Sequence, residues 1–188
     1  MNLPNRLTVL RLILIPVFAV FFFVTAIPYN FVFALVVFCA AAFTDFLDGY
    51  FARKLNMVTN LGKFLDPIAD KLLVSTALIL LLTVPAVMPA IIGAICVSVI
   101  IARELMISAF RQIAAAQNII MAADMTGKIK TVFQDFAIIV MLLCCESIST
   151  GAYKFFYYAG LALLVTATLL SIISAINYIV KNRSVLKN

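Results

Sequence analysis

Three stretches of this chain, residues 12–44, 72–102 and 155–180, contain no aspartate, glutamate, lysine or arginine. Each exceeds the roughly 20 apolar residues that carry an α-helix across a bilayer. Lipid offers no partner to a bare backbone amide, so such runs fold as helices that satisfy their own hydrogen bonds. Residues 12–44 can hold two spans joined by the turn-like Pro28-Tyr29-Asn30, and residues 72–102 two more around Pro85 and Pro89. Residues 131–149 and 155–178 supply one span each. The expected fold is an all-α integral membrane protein of six transmembrane helices, a single domain over residues 1–188. Composition agrees: 12% of residues are charged and the mean hydropathy is +1.17, whereas soluble domains carry about 25% charge.

Arg6 and Arg11 precede the first apolar run, and Val24-Thr25-Ala26 faintly resembles a leader cleavage site. A first transmembrane span explains the same pattern and is the reading adopted. Cys39, Cys96, Cys144 and Cys145 lie in apolar runs without CxxC spacing, so buried thiols are expected. With six spans, thirteen of the fourteen basic residues fall on one side, and Lys154 alone falls on the other. The positive-inside bias then places both termini at the cytoplasmic face of the cell membrane. The net charge of +6 is explained by anionic lipid head groups, and no nucleic-acid partner is expected.

Four of the eight acidic residues fall between Asp45 and Asp70, in a chain that is 65% hydrophobic. The segment reads Asp45-Phe46-Leu47-Asp48-Gly49-Tyr50-Phe51-Ala52-Arg53, then eight residues, then Gly62-Lys63-Phe64-Leu65-Asp66-Pro67-Ile68-Ala69-Asp70. A carboxylate at membrane depth costs about 2.5–3.5 kcal/mol, so four together cost on the order of 10 kcal/mol unless cations compensate them. At 3.6 residues per turn, Asp45 and Asp48 lie about 60° apart on a helix, and Asp66 and Asp70 about 40° apart. Each pair therefore presents one acidic face at the cytoplasmic end of its helix. Gly49 and Gly62 remove side chains nearby and admit a bulky ligand or a neighbouring backbone. The polar linker Lys54–Leu61 lets the two helices run antiparallel. Four carboxylates on two facing helices suit a pair of hard divalent ions about 3.5–4 Å apart, Mg²⁺ or Mn²⁺. Zinc fits poorly, because the chain has no histidine and the site no cysteine. A single Asp at a helix end is often a cap, but two acidic pairs flanking Arg53 are hard to read that way. Ion-coupled transport is the competing class. Transporters more often show repeated halves, and no internal repeat is visible here.

The pattern DxxDGxxAR, eight residues, GxxxDxxxD resembles the signature of the CDP-alcohol phosphatidyltransferases, with every fixed position matched. The resemblance implies a six-helix bundle, usually a homodimer, in which two Mg²⁺ or Mn²⁺ ions bind the pyrophosphate of a CDP-linked lipid. It makes Asp45, Asp48 and Asp66 metal ligands. Asp70 becomes general base on the acceptor hydroxyl while also contacting metal. Gly49 and Arg53 would contact the nucleotide and its phosphates with Thr59 beside them, and Asn5 and Thr8 would lie against the nucleotide from the N-terminal segment. The chemistry fits these roles. Attack on the phosphorus that bears diacylglycerol needs charge neutralised on two phosphates and on departing CMP, which metal ions and Arg53 supply. The acceptor alcohol needs a carboxylate base. No serine, cysteine or histidine in the motif offers a covalent nucleophile, so direct in-line transfer is the simpler reading.

The second half of the chain bears on the acceptor. Arg103 and Arg111, eight residues apart, share a face at the cytoplasmic end of span four. Gly127-Lys128-Ile129-Lys130-Thr131 opens span five on the same side. Arg103, Arg111, Lys128 and Lys130, with Lys63 on the motif side, suit a second substrate that bears a phosphate. Lipid head groups are the bland alternative, although Arg103 and Glu104 among apolar neighbours argue for a buried network. Met1–Pro16, Ala102–Arg111 and Gly127–Thr131 resemble the corresponding segments of the family's bacterial phosphatidylglycerophosphate synthases. That implies CDP-diacylglycerol and sn-glycerol 3-phosphate as substrates. A sister activity with inositol phosphate or phosphatidylglycerol as acceptor is the runner-up, and a transport or non-catalytic protein comes last.

Overall fold

The computed structural model describes residues 3–54, 60–116 and 125–181, without the side chains of residues 3–5, 45, 46, 48–54, 60–67, 70, 115 and 116. Among the described residues there are six α-helices and no strands. They are α1 (Leu3–Phe23), α2 (Asn30–Lys54), α3 (Asn60–Leu81), α4 (Ala90–Ala116), α5 (Met125–Glu146) and α6 (Tyr153–Lys181). The turns fall where proline and polar residues break the apolar runs. Asn30 begins α2 and donates from Nδ2 to the carbonyls of Phe21 and Phe22, both at 3.2 Å, which satisfies acceptors that the end of α1 leaves open. Tyr29 makes this tight reversal with φ of 60°, a left-handed conformation that few non-glycine residues adopt.

At one end of the bundle the helices stop with the apolar runs, at residues 23, 81 and 146. There the Tyr153 hydroxyl donates to the carbonyl of Ala86, joining the α3–α4 turn to the start of α6. At the other end the helices run on past the apolar runs, through Asp45 to Lys54 in α2 and through Arg103 to Ala116 in α4. The polar motifs are therefore helical rather than loops. Among the described residues, Arg6–Phe23, Ala90–Ala114 and Tyr153–Lys181 are long and apolar enough to cross a membrane, and Asn30–Thr44 and Lys71–Leu81 are shorter apolar stretches.

Unlike a water-soluble bundle, this one is apolar on its outer faces as well as in its core. The buried stripe of α6 is Gly160, Leu164, Ala167, Thr168, Ser171, Ser174, Ala175 and Tyr178, recurring at helical spacing and mostly small. Thr168 and Ser171 donate to the carbonyls of Leu164 and Ala167, both at 2.8 Å, so their hydroxyls are satisfied without water. Meanwhile Ile91 is 78% exposed and Phe155 72%. A small-residue stripe that lets helices approach closely, with large apolar residues facing outward, is what lipid as solvent selects. The main core joins Phe18 and Phe22 of α1, Phe38 of α2, Leu78 and Leu81 of α3, Ile100 of α4 and Ile138 and Met141 of α5. Cys96, Cys144 and Cys145 are buried as expected, but Cys39 is exposed. It lies on the outer face of α2, where an apolar environment suits a thiol as well as the core does.

The most extensive pairings are α5 with α6 and α1 with α2. At Gly160 an added Cβ would lie 2.9 Å from Met141 Cγ, so the absent side chain sets how closely α6 approaches α5. Gly160→Leu is therefore expected to destabilise the bundle by about 1–3 kcal/mol. Thermal unfolding in detergent should fall by several degrees, and an unchanged midpoint would show that α5 and α6 can separate freely.

Candidate functional site

Asp45, Asp48, Gly49 and Arg53 occupy the last turns of α2, and Lys63, Asp66 and Asp70 the first turns of α3. The two helices pack against each other and α1 packs on both. The backbone register gives the acidic positions a place. Ala34, Phe38, Ala41 and Thr44 form the buried stripe of α2, and positions 45 and 48 continue it at spacings of three, four and seven. In α3 the buried residues Ala69, Leu73 and Ala77 define a stripe that positions 66 and 70 extend by the same spacings. The side chains of Asn5, Asp45, Asp48, Arg53, Lys63, Asp66 and Asp70 lie outside the described atoms, and Thr59 lies outside the described residues. The donor chemistry fits hard divalent cations: four carboxylates on two packed helices, in a motif whose sequence contains no cysteine or histidine.

Around this end the described side chains are unusually polar for a buried location. Thr8 and Arg11 of α1 are both fully buried. A guanidinium withdrawn from solvent must be compensated by acceptors or negative charge, and Arg11 sits on the helix that packs against both acidic ones.

A second group joins α3, α4, α5 and α6. Arg103 donates from Nη1 to Glu104 Oε1 at 3.0 Å and from Nη2 to the Ser174 hydroxyl at 2.7 Å. Lys130 Nζ donates to the same Glu104 oxygen. Ser108 Oγ donates to the Glu104 carbonyl at 2.7 Å and accepts from Lys71 Nζ. Lys71 directly follows Asp70, so this contact ties the acidic helix α3 to α4. Further along α4, Arg111 Nε donates to the Tyr178 hydroxyl at 3.2 Å and its guanidinium lies 5.4 Å from that ring's centre. A small apolar cluster of Ile107, Phe110, Ala114 and Tyr178 supports that contact. Gly127, in the first turn of α5, comes close to the Arg103–Ser174 pair: an added Cβ would stand 3.6 Å from Arg103 Nη2.

Arg103 and Arg111 do face one way, toward α6. Arg103 and Lys130 are brought together on Glu104, Arg111 sits beyond them, and Lys128 is exposed with no described contact to the group. Lys71, Ser108, Ser174 and Tyr178 escaped the sequence reading as members of this network. Ser171, Ser174 and Tyr178 recur at the three- and four-residue spacing of one helix face, which was the available signal.

Comparison with known proteins accords with this arrangement. The family model described as CDP-alcohol phosphatidyltransferase matches residues 1–179. The chain is 40% identical over 200 residues to the CDP-diacylglycerol–glycerol-3-phosphate 3-phosphatidyltransferase of Bacillus subtilis (strain 168), covering 99% of this chain and 97% of that protein. Proteins of the same name from Pseudomonas fluorescens and Escherichia coli (strain K12) are 38% and 37% identical, covering 95% of this chain in each case and 89% and 93% of the respective relatives. With a match of that extent, and the full acidic motif set on two packed helices, the chain belongs to the CDP-alcohol phosphatidyltransferase family.

Proposed function

We propose that this protein transfers the phosphatidyl group of CDP-diacylglycerol to sn-glycerol 3-phosphate, giving phosphatidylglycerophosphate and CMP, a step in the synthesis of anionic phospholipid. The observation that carries this reading is the coexistence, at one end of the bundle, of the acidic motif on α2 and α3 and a basic group on α4 and α5. One suits a metal-bound pyrophosphate and the other a second substrate with its own phosphate. The names of the relatives support the same acceptor.

Asp45, Asp48, Asp66 and Asp70 would hold two Mg²⁺ or Mn²⁺ ions, which supply charge neutralisation on the pyrophosphate and on departing CMP. Arg53 would share the phosphate charge, with Gly49, Thr59, Asn5 and Thr8 around the nucleotide. Asp70 would take the proton from the acceptor hydroxyl. Arg103, Arg111, Lys128 and Lys130, with Lys63 opposite, would hold the acceptor phosphate, and Lys71 would keep α3 in register with that group. We infer further that all six helices cross the cell membrane as one domain, with both termini and the site at the cytoplasmic face. Two copies would pair as a homodimer, as the family resemblance implies.

The direct test is CMP release by the purified protein with CDP-diacylglycerol and a panel of alcohols. Glycerol 3-phosphate should be the best acceptor and glycerol, which lacks the phosphate, a poor one. Preference for inositol phosphate would keep the enzyme class and remove the named acceptor. A charge-assisted contact to phosphate is worth about 1.5–3 kcal/mol, so Arg103→Ala and Arg111→Ala should each raise the acceptor KM roughly 10- to 100-fold. The KM for CDP-diacylglycerol should move much less. Equal shifts in both constants would make the basic group structural or lipid-binding.

A further inference from the structure

We propose that Glu104 sets the charge an anion must carry to enter the basic site between α4, α5 and α6: it occupies Arg103 and Lys130 until a dianionic phosphate monoester displaces it. This rests on the acceptor reading above and deepens it. Arg103 and Lys130 both donate to one oxygen, Glu104 Oε1. Arg103 and Lys130 are almost wholly buried, with side chains 9% and 3% exposed, while the Glu104 side chain is 18% exposed. The carboxylate is thus the member of the trio nearest to solvent, and the one that can leave at the lowest desolvation cost. Its backbone need not move when it does, because the Ser108 hydroxyl and the helix hold the Glu104 carbonyl. Arg103 keeps its Ser174 contact in either state. Its buried Nε has no hydrogen-bond partner, leaving a donor that an incoming phosphate oxygen can use.

Charge decides which anion succeeds. Two cations and one carboxylate leave the trio at a formal +1. A monoanion exchanging for Glu104 gains no charge, and competes with a tethered carboxylate whose effective concentration is on the order of mM or more. A phosphate monoester carries about −1.5 to −2 at neutral pH, and converts the site from one negative charge against two cations to nearly two against two. Phospholipid diesters crowd the membrane surface but carry a single negative charge on the phosphate. Glu104 therefore excludes the lipid surface from the acceptor site and admits a phosphate monoester.

The test uses the full-length protein in neutral detergent, with CMP release as readout and two competitors against glycerol 3-phosphate: inorganic phosphate and dimethyl phosphate, a monoanionic diester. In the wild type, inorganic phosphate should compete and dimethyl phosphate should not. Glu104→Gln should lower the acceptor KM on the order of 10-fold, since Arg103 and Lys130 both lose the Glu104 charge, and should make dimethyl phosphate a competitor. Glu104→Asp, which keeps the charge, should preserve the exclusion. If Glu104→Gln raises the acceptor KM and leaves dimethyl phosphate excluded, Glu104 is a structural ion-pair partner and the proposal is overturned. Equal competition by the two anions in the wild type overturns it without any variant. An Arg103→Ala protein with unchanged acceptor KM would remove the acceptor reading itself, and this proposal with it. A raised KM there, together with unaltered exclusion in Glu104→Gln, removes the proposal alone.

Discussion

Asp45→Asn, Asp48→Asn and Asp66→Asn are each expected to abolish CMP release while leaving the protein folded in detergent. Asparagine preserves shape and a neutral oxygen but removes the anionic ligand that a hard divalent ion needs. Loss of a single group that stabilises transition-state charge costs about 10²–10³-fold, and a lost ion pair costs more than one such group. The folding side points the other way. By helical register, positions 45, 48 and 66 extend the stripes that Phe38, Ala41, Ala69 and Leu73 define on α2 and α3, and carboxylates gathered in so apolar a chain are unfavourable without a cation. Each amide variant should therefore unfold at the same temperature as the metal-free wild type or higher. Chelation by EDTA should silence the wild type, and added Mg²⁺ or Mn²⁺ should restore it. Activity retained by Asp66→Asn, or by the wild type in metal-free buffer, would sink the two-metal reading.

How much of this was legible before any coordinates depended on which solvent enforced it. Five of the helices and the turns at Pro28–Asn30 and Pro85–Pro89 follow from runs without charge, and α5 from a largely apolar run that carries Asp135 and Glu146, because lipid tolerates no unpaired backbone. Helix pairing was illegible for the same reason. When outward-facing Ile176 and core-facing Leu164 are equally apolar, hydropathy cannot tell the faces apart, and small or hydroxyl residues such as Gly160 and Ser171 mark the inner one. Cys39 illustrates the ambiguity: an apolar position suggested burial, and the structure puts it outside. The acidic positions stood out in the sequence because charge is rare in a chain this apolar. The partners of the basic residues were not. Arg103 reaches a serine 71 positions away and Arg111 a tyrosine 67 away, and no local pattern encodes such contacts. Lys71, at the border of a charge-free run, looked like a topology signal and instead joins α3 to α4.

The second large effect separates base from ligand at Asp70. The Asp70→Asn protein is expected to retain CDP-diacylglycerol in the presence of Mg²⁺ and to fail at turnover. Asp70 stands one helical turn beyond Asp66 on α3 and directly before Lys71, which bonds to Ser108 of α4; in the proposed reaction an acceptor held by Arg103 and Lys130 would bring its hydroxyl to Asp70. A positioned general base contributes about 10²–10⁴-fold to rate, and its loss lowers kcat without weakening a substrate that it does not hold. Binding of CDP-diacylglycerol in mixed micelles, measured beside CMP release, tells the roles apart. In Asp45→Asn both should fail together, because the metal that grips the pyrophosphate is lost. In Asp70→Asn only turnover should fail. Equal loss of binding in the two variants would make Asp70 a metal ligand first, and wild-type turnover would exclude both roles. Proton removal would then fall to another group, and the chain has no histidine to supply it.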